Sequence, residues 1–158
     1  MKQILVFDDR ISTVSWINRF LEGINKPGQT LVLIRHCKSV YEADTAWSEL
    51  GDSIEIVVLD IMAPSKGLSD ELRKKTQDDY ITGWIWLCTK DVLNSKNTLP
   101  LILIYTAYRK EFQEYIANLD PDSLEANLYR KSIVIPKGAV SSAVELKNKI
   151  LDALKIVR

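Results

Sequence analysis

Three carboxylates, a hydroxyl and an amine stand at the ends of four apolar segments of this sequence. Asp8 and Asp9 come after the first of these segments, and Asp60 comes after the second. Thr106 and Lys137 follow the other two. Carboxylates can hold a divalent cation or attack phosphorus, while a hydroxyl and an ammonium can bind phosphoryl oxygens. These residue types together indicate phosphoryl chemistry assisted by Mg²⁺.

The segments that carry these residues are predicted to be parallel strands. Each is apolar on consecutive residues, as is typical of strands that are covered on both faces. The carboxyl ends of parallel strands meet at one edge of a sheet, where open α/β sheets bind their ligands. The four segments lie at 4–7, 56–59, 101–105 and 133–135.

Helical and strand patterns alternate along the rest of the chain. A further strand is predicted at 31–34, after a break at Lys26-Pro27-Gly28. Apolar residues recur at helical spacing over 14–24, 40–50, 81–93, 107–119 and 143–157, with Val157 on the inner stripe of the last helix. This alternation predicts an α/β fold built on a doubly wound, five-stranded parallel sheet.

Composition and charge limit the classes of function. The 158 residues suffice for one domain with a sizeable core. Lys plus Arg and Asp plus Glu number 21 each, so a strongly basic nucleic-acid surface is not expected. No apolar run reaches the length of a membrane span, and the start of the sequence has no signal-peptide pattern. We therefore expect a cytoplasmic protein with no direct nucleic-acid contact and no membrane insertion.

The cysteines and the histidine give weak signals. Cys37 and Cys88 have apolar neighbours and no metal-ligand spacing, which favours small buried thiols over a metal or redox site. His36 is the only histidine and would need three further ligands to build a zinc site. A structural or surface role is expected for His36.

Each residue of the polar group also has a plain structural explanation. Aspartate is common where a strand meets solvent, since it favours turns and helix caps. Thr106 could cap the following helix, and Lys137 could be a surface charge. The placement of all of them at strand ends, in this order, favours the chemical interpretation.

These residues resemble the receiver domain of bacterial two-component response regulators. The matching pieces are 4–9, 57–64, 104–107 and 135–137, together with Thr82-Gly83-Trp84 at the start of the third helix. The resemblance covers almost the whole chain and implies a stand-alone, divergent receiver-like domain over 1–158. It also implies the flavodoxin-like strand order 2-1-3-4-5.

The resemblance implies a role for each site residue. Asp60 would accept a phosphoryl group from a histidine kinase or phosphotransfer protein. Thr106 and Lys137 would bind the phosphoryl oxygens. The implied Mg²⁺ ligands are Asp8, Asp9, Asp60 and the backbone carbonyl of Met62. Met62 and Tyr108 would occupy the two variable positions that flank the phosphorylation site.

The sequence departs from the family pattern in its loops. Gly138 follows Lys137 where the family has a proline in a cis peptide, so we expect a trans bond and a different loop. Val134 replaces the usual aromatic residue of strand five. The connections near 65–80 and 118–130 are enlarged; we expect a short helical turn in the first and partial packing against the body in the second.

Output is expected through noncovalent contact with a downstream protein target. By the family resemblance, that surface includes the fourth predicted helix, at 107–119. On this helix, Tyr108, Phe112 and Tyr115 are either contact residues or part of the core. Trp84 and Trp86 point in different directions on a helix, so at least one should be buried, and the other is a candidate contact residue.

Two other functions remain open at this point. A degenerate receiver could bind partners without phosphorylation, as the altered loops would allow. A haloacid-dehalogenase-like phosphatase also uses a strand-end aspartate, Mg²⁺, a hydroxyl and a lysine. That family has Asp-x-Asp after its first strand, whereas this chain has Asp8-Asp9-Arg10.

Overall fold

A five-stranded sheet, parallel throughout, forms the centre of this computed structural model. The structure describes residues 1–25, 32–92 and 99–155. The strands are β1 (Lys2–Phe7), β2 (Val32–Cys37), β3 (Ile54–Leu59), β4 (Leu101–Thr106) and β5 (Ser132–Pro136). Their spatial order is β2-β1-β3-β4-β5. The predicted fold class and the 2-1-3-4-5 order are therefore confirmed.

Helices cover both faces of the sheet. They are α1 (Ile11–Glu22), α2 (Val40–Leu50), α3 (Asp70–Lys74), α4 (Thr82–Cys88), α5 (Arg109–Ala117), α6 (Leu124–Arg130) and α7 (Val140–Leu154). A 3-10 turn, Gly51–Ser53, precedes β3. Within the described ranges, no helix combines the length and apolar character that crossing a bilayer requires.

Two apolar layers explain why the strands are apolar on consecutive residues. Leu5 and Phe7 of β1 pack in the layer that holds α2 and α4, whereas Ile4 and Val6 pack in the layer that holds α1 and α7. All four side chains have no exposed surface. Alternate residues over 4–7 therefore enter opposite layers, which explains why this part of the strand is apolar on consecutive residues.

The loops and helix ends differ most from the sequence prediction. The helix predicted over 81–93 is shorter, since α4 ends at Cys88. The enlarged connection near 65–80 contains the expected short helical turn, α3. The one near 118–130 contains an unpredicted helix, α6, on which Leu128 is buried and Leu124 is exposed. The predicted break Lys26-Pro27-Gly28 and the predicted core residue Val157 lie outside the described residues.

Candidate functional site

The end of β1 places one carboxylate inside the protein and one at its surface. Asp8 continues the sheet because its N–H donates to the Cys37 carbonyl at 3.1 Å. Its side chain is 2% exposed, and Oδ1 accepts the backbone N–H of Arg10 at 2.8 Å. Asp9, the next residue, is exposed. The two adjacent acids therefore stand in different dielectric surroundings.

The end of β3 brings a second buried carboxylate beside the first. The N–H of Asp60 donates to the Phe7 carbonyl at 2.8 Å, so Asp60 and Asp8 follow directly paired positions of neighbouring strands. Asp60 is 7% exposed, and its Oδ1 accepts the Met62 N–H at 3.3 Å. Parallel pairing of β1 with β3 is thus what brings these two acids together.

The ends of β4 and β5 supply the lysine that joins these acids. The Lys137 N–H donates to the Thr106 carbonyl at 2.8 Å, which carries the lysine side chain across to β1 and β3. Its Nζ lies 2.7 Å from Asp8 Oδ2 and 2.6 Å from Asp60 Oδ2. It also lies 5.5 Å from the centre of the Tyr105 ring. One ammonium therefore bridges both buried carboxylates.

Thr106 is held next to this group by its backbone. Its side chain is fully buried, and its Oγ1 accepts the Tyr108 N–H at 3.1 Å. A hydroxyl that accepts one hydrogen bond still carries a proton to donate. Thr106 can thus serve as a donor, in line with its predicted role.

Oxygen atoms of Asp8, Asp9 and Asp60 lie within 4.8 Å of one another. Two such charges about 4 Å apart repel by roughly 4 kcal/mol at an effective dielectric near 20. Lys137 offsets part of this repulsion but leaves an excess of negative charge. An all-oxygen set with excess negative charge suits Mg²⁺, which prefers carboxylate and water oxygens. The donor set therefore fits the predicted ion.

Burial and the neighbouring opposite charge have opposing effects on the pKa values of Asp60 and Lys137. Burial raises the pKa of Asp60, the neighbouring Asp8 charge raises it further, and Lys137 only partly opposes the shift. Burial lowers the pKa of Lys137, but the charge of Asp60 and the hydrogen bonds to both acids outweigh burial and raise it. The lysine is therefore charged at neutral pH, and a cation would favour the ionised form of Asp60.

A cavity of about 170 Å³ opens onto Asp60. It is large enough for a phosphoryl group with its bound waters. Its lining comprises Asp9, Arg10, Asp60, Met62, Ala63, Pro64, Asp79, Ala107, Tyr108 and Lys137. The predicted phosphoacceptor, the predicted lysine and the two flanking residues, Met62 and Tyr108, thus share one space.

A solved receiver domain shares this architecture. The structure of a response regulator receiver domain protein from Clostridium thermocellum gives a TM-score of 0.54 at 20% identity, covering 98% of this chain and 95% of that chain. The chain has the receiver-domain fold. The structure of a LuxR family DNA-binding response regulator from Silicibacter pomeroyi gives a TM-score of only 0.39 at 15% identity, covering 87% of this chain and 98% of that chain. The sequence matches no family model and no curated protein.

One glycine of this receiver fold is required by a close approach of two backbone segments. The Gly83 N–H, at the start of α4, donates to the Ile61 carbonyl at 2.9 Å. A Cβ atom on Gly83 would lie 2.1 Å from the carbonyl oxygen of Asp60. The glycine of the Thr82-Gly83-Trp84 motif therefore lets α4 rest directly on the loop that carries Asp60.

The loop after β5 departs from the family pattern as expected. Within the described ranges no peptide bond is cis, so the Lys137–Gly138 bond is trans. Gly138 has a φ of +102°, a conformation that L side chains rarely adopt. The chain thus turns away after Lys137 through a glycine where the family has a proline.

Several side chains near the site were not predicted from the sequence. Nε2 of His36 lies 2.7 Å from the Asp8 carbonyl oxygen and must donate to it, because a carbonyl only accepts. Asp79 lines the cavity, and the Tyr80 ring stands edge-on to Tyr108 at 5.4 Å between centroids. No local spacing in the sequence marks Asp79 or Tyr80, since both reach the site through the shape of a long connection.

The prediction that at least one of the two tryptophans is buried is confirmed, whereas the candidate contact role of the other is wrong because both are buried. Trp84 and Trp86 are both fully buried, with indole N–H groups that donate to Glu125 and Asp44. Phe112 is also fully buried, so the core explanation holds for it. Tyr115 is partly buried and donates its hydroxyl to Glu125 at 2.6 Å. Tyr108 is likewise partly buried, so the contact role remains open for Tyr108 and Tyr115.

Proposed function

We propose that the protein is a cytoplasmic phosphorylation switch in which Asp60 accepts a phosphoryl group from a histidine kinase or phosphotransfer protein. We further propose that 1–158 forms one receiver-like domain, enlarged near 65–80 and 118–130, that signals by contact with a downstream protein target. The observation that carries this proposal is the Lys137 ammonium held 2.7 and 2.6 Å from the Asp8 and Asp60 carboxylates.

The buried residues can share the work of phosphoryl transfer. A carboxylate oxygen of Asp60 attacks phosphorus, an acyl phosphate bond forms, and the bond between phosphorus and the donor's imidazole nitrogen breaks. The imidazole leaves with the electron pair of that bond. Lys137 is free to follow the negative charge from the carboxylate to the phosphoryl oxygens, and Thr106 can donate its hydroxyl proton to one of them.

The acidic residues would hold the ion that this chemistry requires. Asp8, Asp9, Asp60 and the Met62 carbonyl are the proposed ligands of Mg²⁺. When bound, the ion would neutralise charge on the carboxylates and on the transferred group. Asp8 and Asp9 then serve to bind it, while burial of Asp60 keeps bulk water from the acyl phosphate.

Intact-mass measurement distinguishes this switch from a phosphorylation-independent interaction module. The protein is incubated with Mg²⁺ and phosphoramidate, and its mass is compared with that of Asp60→Asn treated identically. The switch predicts a gain of one phosphoryl group in the wild type and none in the variant. No gain in folded wild type would favour the interaction module, and steady release of phosphate from p-nitrophenyl phosphate would favour a phosphatase.

A further inference from the structure

A strained turn lies beside the phosphorylation cavity. Gln77, Asp78 and Asp79 have φ angles of 51°, 56° and 72°, three consecutive non-glycine residues in the left-handed region. Each such residue costs roughly 1–2 kcal/mol. The turn is held at its base by Thr76, which is buried and accepts the Asp79 N–H on Oγ1 at 3.3 Å. Backbone strain of this kind persists where surrounding contacts fix it, often at a functional site.

The turn fixes Asp79 onto the loop that follows Asp60. The Asp79 carbonyl accepts the Ala63 N–H at 3.3 Å, and its carboxylate Oδ1 accepts the Ser65 N–H at 3.1 Å. Two backbone groups of one loop thus bind a single residue. Asp79 also lines the cavity that holds Asp60 and Lys137. Its position is set by hydrogen bonds at both its backbone and its side chain.

The position of Asp79 has an electrostatic consequence. A phosphodonor that enters the cavity is anionic, and it meets the Asp79 charge in addition to the acids of the proposed ion site. The proposed Mg²⁺ ligands are compensated by the ion and by Lys137, whereas the Asp79 carboxylate accepts a hydrogen bond from a neutral donor, the backbone N–H of Ser65. Repulsion grows with the charge of the donor, so Asp79 penalises a dianion more than a monoanion.

We propose that Asp79 is a specificity-determining residue of the phosphorylation site, whose negative charge disfavours dianionic phosphodonors relative to donors of lower charge. This inference rests on the proposed phosphorylation of Asp60. The inference extends the proposed function by assigning the selection of the phosphodonor to a residue outside the predicted site. The enlarged connection near 65–80 thereby acquires a function at the cavity.

The test compares Asp79→Asn with Asp78→Asn. Asparagine retains the side-chain oxygen that accepts the Ser65 N–H and removes only the charge. Asp78 has the same left-handed conformation in the same turn, is exposed and does not line the cavity. Initial rates of phosphorylation are measured by intact mass with acetyl phosphate, a dianion at neutral pH, and with phosphoramidate, a monoanion.

We expect Asp79→Asn to raise the rate of phosphorylation by acetyl phosphate by about threefold to tenfold, which is the effect of removing a partly screened charge nearby. The rate of phosphorylation by phosphoramidate should rise by clearly less. The effect should shrink at high salt, and Asp78→Asn should behave as wild type. A purely structural role would move both rates together, so an unchanged ratio of the two rates overturns the inference. An equal change of this ratio in Asp78→Asn would also overturn the inference. If the wild type accepts a phosphoryl group from neither donor, the proposed function fails and this inference fails with it.

Discussion

The peptide of Gly83 lies against that of Asp60, so that a Cβ atom on Gly83 would be 2.1 Å from the Asp60 carbonyl oxygen. The neighbouring atom is backbone and belongs to the residue proposed to accept the phosphoryl group. A side chain at position 83 must therefore displace either α4 or the end of β3. Packing of α4 and geometry of the site are coupled through this one contact.

Gly83→Ala should lower both stability and phosphorylation. Overpacking against backbone costs typically 1–3 kcal/mol and occasionally more, and we expect a loss of about 3 kcal/mol in the free energy of unfolding, measured with urea. Gly23→Ala is the matched control, because the nearest atom to a Cβ there is 3.5 Å away. Equal stability of the two variants would show that α4 shifts freely.

Lys137→Met should destabilise the protein when a chelator keeps it free of metal. The side chain of Lys137 is 11% exposed and those of Asp8 and Asp60 are 2% and 8% exposed, so the change leaves two buried carboxylates without their ammonium. Breaking a buried pair costs roughly 3–5 kcal/mol, and Mg²⁺ should restore part of the loss. Lys110→Met removes a lysine that is 86% exposed and should change stability by less than about 1 kcal/mol. Similar losses in both variants would contradict a buried bridge.

Met62 and Tyr108 should lengthen the lifetime of the phosphorylated state. Both line the cavity at Asp60, and Tyr80 supports the Tyr108 ring from the side. Replacing both by serine should admit water and speed dephosphorylation by about tenfold, which corresponds to roughly 1.4 kcal/mol in the barrier. Loss of the phosphoryl mass is followed over time after removal of the donor. A rate equal to that of wild type would refute this role.

Cys37 should make the protein less stable in alkali. Burial, with a smaller contribution from Glu42, raises the pKa of its thiol from the ordinary 9.0 to about 12. The unfolded chain therefore releases the thiol proton before the folded one does. The stabilising contribution is complete below pH 9.0 and is lost as the pH rises toward about 12.

This contribution is measured by urea unfolding at several pH values above neutrality. Across the alkaline window the thiol adds a slope of up to about −1.4 kcal/mol per pH unit to the free energy of unfolding. Cys37→Ala should therefore show a shallower decline than wild type, whatever its stability at neutral pH. Parallel curves would mean that the thiol is not protected in the folded state.

The sequence predicts the parts of the site that parallel pairing positions. Asp8, Asp60 and Lys137 meet because each follows a strand directly and the strands share one edge of the sheet. The apolar segments predict the shared edge, and the strand order that the resemblance implies makes β1 and β3 neighbours. Gly83 is singled out in advance only by the resemblance to receiver domains, and its close approach to the Asp60 carbonyl explains why a glycine stands there.

The parts that depend on loops are not predictable in the same way. Asp79 reaches the cavity through three left-handed residues that no local pattern marks, and His36 reaches the Asp8 carbonyl from the neighbouring strand. The burial of Trp84 and Trp86 depends on partners far along the chain, Glu125 and Asp44. Such contacts are set by tertiary packing, which spacing along the sequence does not encode.

Localisation of the phosphoryl group tests the central claim most directly. After treatment with Mg²⁺ and phosphoramidate, the protein is digested at acidic pH, which preserves an acyl phosphate, and the modified residue is identified by fragmentation mass spectrometry. We predict a single phosphoryl group on Asp60, formed only with Mg²⁺ and greatly reduced in Lys137→Met. A phosphoryl group on any other residue, or an Asp60 that stays unmodified in folded protein with Mg²⁺ present, would contradict the account.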